Sequence, residues 1–290
     1  MTSIHDERFR DENGILVPAN RSKPPSYDFN EAAFDDMLLM QREHFWYRGR
    51  HKFLLKVFES ELARRFKDRD DLRAIDLGGG CGGWVEYLHD RIPRRFRELA
   101  LGDGSMRALA LAEPVVGAFA ERYQIDLLNL AWSEDWDVVF LLDVLEHVPD
   151  HVEALRQVRK SLRPGGLLFV AVPALEFFWS YNDELAGHQR RYSRKDFQAL
   201  SAQVDMELLR TNYFMFFLSP ALFLSRMLFK PGKSSTAEEI QAHLENSHRV
   251  PSKLVNSLAT RIFSLEAGLV DKLALPWGTS ILAVFRRPDN

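Results

Sequence analysis

Three aspartates and a run of glycines are the residues of this chain best placed to do chemistry. Asp76 closes a short apolar run and is followed by glycine at five of the six positions from 78 to 83. A strand ending in so many glycines lets backbone approach a ligand and turn sharply into a helix. The spacing Gly78-x-Gly80-x-x-Gly83 is also that of a dinucleotide loop. Asp103 lies 20 residues past Gly83, where a carboxylate can take both hydroxyls of a ribose. Asp126, after a third apolar run, sits where an adenine amino group could donate to it. Three acids at neighbouring strand ends suit a cationic ligand without phosphates; a pyrophosphate would meet repulsion from Asp76.

Two further clusters carry titratable groups. Asp143-Val144-Leu145-Glu146-His147 follows a fourth apolar run. If its acids and histidine faced one point they could hold Mg²⁺ or Zn²⁺ with a fourth ligand from elsewhere. The plainer reading, that Glu146 and His147 only open the next helix, is preferred, and no metal is expected. The second cluster runs from Asn182-Asp183-Glu184 to Gly187-His188-Gln189-Arg190-Arg191-Tyr192-Ser193. His188 is the best candidate for a catalytic base, and Arg190 and Arg191 suit a phosphate or carboxylate on an acceptor. Alternatively one arginine pairs with Asp183 or Glu184.

These residues need elements to position them. Strands are expected at 72–77, 98–101, 122–125, 137–142, 167–172, 206–212 and 280–285. Helices at 84–89, 105–112 and 150–162 follow the first, second and fourth of these strands, and another follows Ser193. Repeated strand-helix units give a parallel sheet covered on both faces. Arg163-Pro164-Gly165-Gly166 reads as a helix stop and turn. Residues 1–30, with Pro18, Pro24 and Pro25, read as an irregular arm; 31–67 as a helical cap; and 68–290 as the main domain, with a helical insertion at 213–277.

In composition the chain is an ordinary globular one, with 290 residues, 46% hydrophobic and 27% charged. A net charge of −3 argues against binding nucleic acid through bulk phosphate attraction, and none is expected as a partner. The single cysteine, Cys81, reads as a small packing residue and excludes an intrachain disulfide. With no apolar leader near the N-terminus, a cytoplasmic location is expected.

The motifs AIDLGGGCGGW, LGDGS, Asp126, WDVVFLLDVLEHVPD and LRPGGLLFVAVP, in this order, resemble those of class I S-adenosylmethionine-dependent methyltransferases. The run from His188 to Ser193 and the stretch Glu43–Arg50 are similar to a bacterial branch of that family. The resemblance implies an α/β Rossmann-like sheet of seven strands, order 3-2-1-4-5-7-6, with strand 7 antiparallel, and S-adenosylmethionine as cofactor. It implies that Asp76, Gly78, Gly79 and Gly80 hold the methionine part, Asp103 and Gly104 the ribose, and Asp126 with Leu127 the adenine. Leu142 and Asp143 would edge the sulfonium, while Trp46 and Tyr47, with Arg190, Arg191 and Tyr192, would meet the acceptor. The same glycine spacing leaves open a nicotinamide-dependent oxidoreductase, or a family member that binds without catalysis.

Residues 213–229, strongly apolar yet interrupted by Pro220 and Arg226, are too short for a bilayer span. With Lys230 and Lys233 beyond, they could touch the inner membrane face peripherally, form an acceptor tunnel, or bury as a lid. The expected acceptor is small or lipid-linked, combines an apolar with an anionic part, and is methylated at oxygen. Oligomeric state is left open.

Overall fold

The computed structural model describes residues 7–20, 33–228 and 249–289. Pro24, Pro25, Phe229, Lys230 and Lys233 lie outside them. Within residues 7–20, the arm expected to be irregular forms an antiparallel hairpin, β1 (Phe9–Glu12) and β2 (Ile15–Pro18). Apolar alternation explains it: Phe9, Ile15 and Val17 are buried while Arg10 and Asp11 face water. Asn13 and Gly14 both take positive φ, as a tight two-residue hairpin turn requires.

Two helices follow, α1 (Ala33–Glu43) and α2 (Phe45–Arg65), the second capped by the His44 ring accepting from the Trp46 N–H. Then come β3 (Leu72–Leu77), α3 (Gly83–Arg91), β4 (Phe96–Asp103), α4 (Met106–Leu111), α5 (Glu113–Val116) and β5 (Ala120–Gln124). The alternation continues with β6 (Trp136–Leu142), α6 (His151–Ser161), β7 (Leu162–Pro173), the short α7 (Tyr181–Leu185), α8 (Arg194–Gln203) and β8 (Glu207–Phe214). Last are α9 (Ser219–Leu228), α10 (Lys253–Leu269) and β9 (Ser280–Arg286).

The sheet has nine strands rather than seven, in the order β1-β2-β5-β4-β3-β6-β7-β9-β8. The hairpin adds two strands at the β5 edge, β2 running parallel to β5. The other seven follow the order 3-2-1-4-5-7-6 of the sequence expectation, and β9 runs antiparallel to both β7 and β8. Arg163–Gly166, expected as a turn, is instead the irregular start of β7, where pairing with β6 shifts register and Gly165 takes φ +75°.

Side-chain alternation along the central strands builds one core on each face. Ile75, Leu77, Val139, Leu141, Val170 and Val172 point to the α6–α8 side. Ala74, Val138, Phe140, Phe169 and Ala171 point toward α2, α3 and α10. Burial on both faces is why β6 and β7 read as unbroken apolar runs. Where α2 meets α10, a Cβ at Gly49 would fall within 2.8 Å of the Phe263 ring, so glycine there sets the approach of the two helices.

The apolar stretch 213–229 divides between elements. Tyr213 and Phe214 end β8, and α9 carries Phe223 stacked on Phe177 at 5.1 Å between ring centroids. Glu266 of α10 secures the turn between β8 and α9 by accepting the Phe217 N–H at 3.0 Å, beside Met215 at φ +61°. No helix among the described residues is long and apolar enough to cross a membrane.

Candidate active site

Parallel strands that end together place their following loops on one edge of the sheet, and a cavity of about 650 Å³ opens there. That volume is in the ordinary range for small-molecule sites. Asp76 ends β3 and faces the cavity; it is 2% exposed and its Oδ1 has no hydrogen-bond partner. Burial first, then the neighbouring Asp103 and Asp143, pushes its pKa up to about 7 against the opposing pull of Arg50.

The glycine loop forms the cradle. Gly78, Gly80 and Gly82 all have positive φ, and a Cβ at Gly79 would lie 2.5 Å from Asp76 Oδ2. Asp103 ends β4 and anchors this loop, its Oδ2 accepting from Gly80 N at 2.9 Å and its Oδ1 from Ser105 N at 2.8 Å. Gly104, Gln124, Ile125 and Leu127 extend the wall on that side. Asp126 is not among the lining residues. Its carboxylate accepts from Leu128 N at 2.9 Å, at the turn after β5.

Leu142 and Asp143, at the end of β6, line the centre. Asp143 takes φ +60°, which turns its carboxylate to an ion pair with Arg50 of α2. Burial raises the Asp143 pKa although Arg50 opposes it. Arg50 is only 6% exposed and lies over the rings of Trp46 and Tyr47, at 4.5 Å and 5.3 Å from their centroids. Trp46 and Tyr47 line the cavity, and burial pushes the Tyr47 hydroxyl up to about 12.

Sequence reasoning missed Arg50, His51 and the contribution of α1. Arg50 was legible as the residue one helical turn past Trp46, on the same face. Phe34, Met37 and Gln41, at spacings of 3 and 4, turn one face of α1 onto the glycine loop. There Gln41 Nε2 donates to the Cys81 carbonyl at 3.4 Å, and the buried Cys81 thiol donates to the Phe34 carbonyl at 3.5 Å.

The loop after β7 carries the second cluster, and most of it is scaffolding. Arg191, expected at the acceptor, is buried and forks onto Asp183 at 2.8 Å and 3.0 Å, with a further bond to the Ala174 carbonyl. Arg190 donates to the carbonyls of Val148 and Pro149. The Tyr192 hydroxyl donates to the Leu145 carbonyl and meets His151 Nδ1 at 2.7 Å. None of these three lines the cavity, because each is spent tying the loop to the turn before α6 or to the sheet.

What they hold in place is His188. Its Nδ1 meets Asp183 Oδ1 at 2.9 Å, and its Nε2 points to Glu146 Oε1 at 3.9 Å. Burial works to raise the Asp183 pKa, but bonds from His188 and Arg191 outweigh it and hold the carboxyl below its ordinary range. His188 itself is not a lining residue, although Gly187, Gln189 and His147 are. His147 and His188 pack edge to face at 4.8 Å, and burial pushes His147 down to about 4. Glu146 is fully buried with both carboxylate oxygens unpartnered, and burial together with Asp143 pushes its pKa well up.

Residues 41–214 match the family described as "Methyltransferase domain". Among curated relatives, the chain is 32% identical over 115 residues to a ubiquinone biosynthesis O-methyltransferase of Parvibaculum lavamentivorans, covering 38% of this chain but only 43% of that enzyme. It is 26% identical over 189 residues to ribosomal RNA large subunit methyltransferase E of Legionella pneumophila, covering 59% of this chain and 85% of the relative. In structure it resembles phosphoethanolamine N-methyltransferase 2 of Haemonchus contortus, solved in complex with S-adenosyl-L-methionine. There the TM-score is 0.55 at 13% identity, over 94% of this chain and 62% of that one.

Proposed function

Because the chain belongs to the methyltransferase-domain family, we propose that it transfers a methyl group to a hydroxyl of a small or lipid-linked acceptor. The donor in this family is S-adenosylmethionine. The observation that carries the reading is the buried, half-unpartnered carboxylate of Asp76 beside a glycine cradle that side chains would fill. A donor with an ammonium group and no phosphate fits it, whereas a dinucleotide would bring phosphate charge toward Asp76, Asp103 and Asp143.

Bound there, the donor supplies a methyl carbon activated by the positive sulfur. The chain's own residues then align and exclude water. Asp76 binds the ammonium, the backbone of Gly78 to Gly80 lies along the methionine part, and Asp103 accepts from the ribose. Leu127 and Ile125 press on the adenine. Asp143 and Leu142 stand beside the sulfonium, and Trp46 and Tyr47 close the far wall against the acceptor. Arg50, already in the cavity, takes over the anion-binding role first given to Arg190 and Arg191. At the acceptor end, Asp183 keeps the His188 ring oriented, and His188 is the residue on which removal of the hydroxyl proton depends.

The curated relatives are named for ubiquinone biosynthesis O-methylation and ribosomal RNA methylation, and the structural neighbour for phosphoethanolamine N-methylation, so a panel of acceptors is the test. The test has two parts. Titration calorimetry should give micromolar binding of S-adenosylhomocysteine and no heat with NADH. Incubation with S-adenosylmethionine and a panel of phenolic, carboxylic and prenylated acceptors should give a product 14 Da heavier by mass spectrometry, lost in His188→Asn. Binding of NADH in place of S-adenosylhomocysteine would overturn the assignment.

A further inference from the structure

We propose that Glu146, His147 and His188 form a binding site for one divalent transition-metal ion of the zinc class, at the acceptor end of the cavity. Each residue offers one ligand atom, and the three atoms lie within 4.8 Å of one another. The donor set, two imidazole nitrogens and a carboxylate oxygen, is that of a catalytic zinc site with its fourth position open. Tetrahedral coordination at about 2.1 Å needs ligand atoms about 3.4 Å apart, so modest side-chain rotation closes the group around an ion.

Three independent observations point there. Glu146 is fully buried, and neither of its carboxylate oxygens has a partner. Buried carboxylates are retained where they are paired or coordinate a cation. His188 is already oriented as a ligand: Asp183 takes its Nδ1 at 2.9 Å, leaving Nε2 directed at Glu146. A carboxylate behind the ring is the usual support of a metal-binding histidine, since it fixes the tautomer and raises basicity. Asp183 is in turn fixed by the fork of Arg191, so the support is rigid. Finally, His147 borders the cavity, so the open position faces where an acceptor would lie.

The ligand set differs from the one the sequence suggested. Asp143 is excluded because Arg50 holds its carboxylate. His188, distant in sequence, replaces it because the Gln189 N–H donates to the Glu146 carbonyl at 2.9 Å and draws the loop onto the turn before α6.

For what the ion does, the inference rests on the methyltransferase reading; for its binding it does not. Coordinated to the ion, the acceptor hydroxyl loses its proton to solvent more readily and is held as an alkoxide or phenolate. That oxygen forms a bond to the methyl carbon as the carbon–sulfur bond breaks, and sulfur keeps the electron pair. The products are the methyl ether and S-adenosylhomocysteine. His188 then acts through the ion rather than by taking the proton itself.

The experiment uses the full chain, stripped with chelator and titrated with Co²⁺, whose tetrahedral complexes absorb strongly in the visible. One equivalent is expected, with a d–d band that Zn²⁺ displaces. Glu146→Gln and His188→Gln should each weaken Co²⁺ binding a hundredfold or more, and Asp183→Asn about tenfold. S-adenosylhomocysteine binding, followed in parallel, reports that each variant is folded. A wild-type protein that binds S-adenosylhomocysteine but shows no Co²⁺ band overturns the metal site and leaves the methyltransferase reading standing. A Co²⁺ band in protein that does not bind S-adenosylhomocysteine does the reverse. An unchanged band in the Glu146→Gln/His188→Gln double variant also overturns the site.

Discussion

Asp76 shows how one side chain can be both a cost and a device. Buried beside Asp103 and Asp143, its carboxyl titrates near 7, so in the free protein it holds a proton through the mildly acidic range. The ligand ammonium requires the ionised form and competes with that proton. S-adenosylhomocysteine affinity should therefore fall about tenfold for each pH unit below 7 and level off above it, as calorimetry at pH 5.5 to 8.5 would reveal. Asp76→Asn should lose about 3 kcal/mol of binding, roughly a hundredfold, and flatten this profile. The residues of the glycine loop, Asp76 and Asp103 were legible because strand-end acids and clustered glycines leave a local signature. For Arg191 the structure takes the alternative the sequence offered, pairing with Asp183, while Arg190 and Tyr192 lie away from the cavity wall. A sequence shows that Asp183 could take an arginine, but not that the Val148 and Pro149 carbonyls occupy the donors of Arg190.

At the scale of elements, seven strands and most helices were legible from unbroken apolar runs and caps, Ser193 with Asp196 forming a capping box where a helix was expected after Ser193. The N-terminal hairpin was not, since four-residue strands carry little periodicity and Pro18 suggested a break. The contact of α2 with α10 joins residues some two hundred positions apart, and no local pattern announces it. Gly49→Val should push Phe263 away and destabilise the chain by about 1 to 3 kcal/mol in urea unfolding, while an exposed change such as Arg48→Gln should stay near neutral. Glu266 gives this helix a pH signature. Burial lifts its carboxyl from an ordinary 4.5 to about 7, against the backbone donors that favour its charged form. The folded state thus keeps a proton that the unfolded chain gives up, and this group's contribution to stability declines as pH rises from 4.5 through 7. Glu266→Gln should remove that decline, so the gap in melting temperature should widen in the variant's favour between pH 5 and 8.

For the whole molecule, the nine-stranded sheet couples parts that contribute nothing directly to the cavity. Phe9 of the hairpin packs against Tyr123 and Trp132 at 5.0 and 5.5 Å, closing the core beyond β5. Phe9→Ala should cost about 3 kcal/mol in chemical denaturation and leave S-adenosylhomocysteine affinity unchanged. The two ends of the strands do different work: the carboxyl ends converge on the ligand cavity, and the rest of the sheet carries the load of stability.

The placement of Cys81 has one more use. As the sole thiol in the sequence, sealed between the glycine loop and α1, it is a native reporter of breathing at that seam. Its rate of alkylation counts how often α1 lifts away, and a cofactor seated under that helix would slow the count without any label being engineered into the protein.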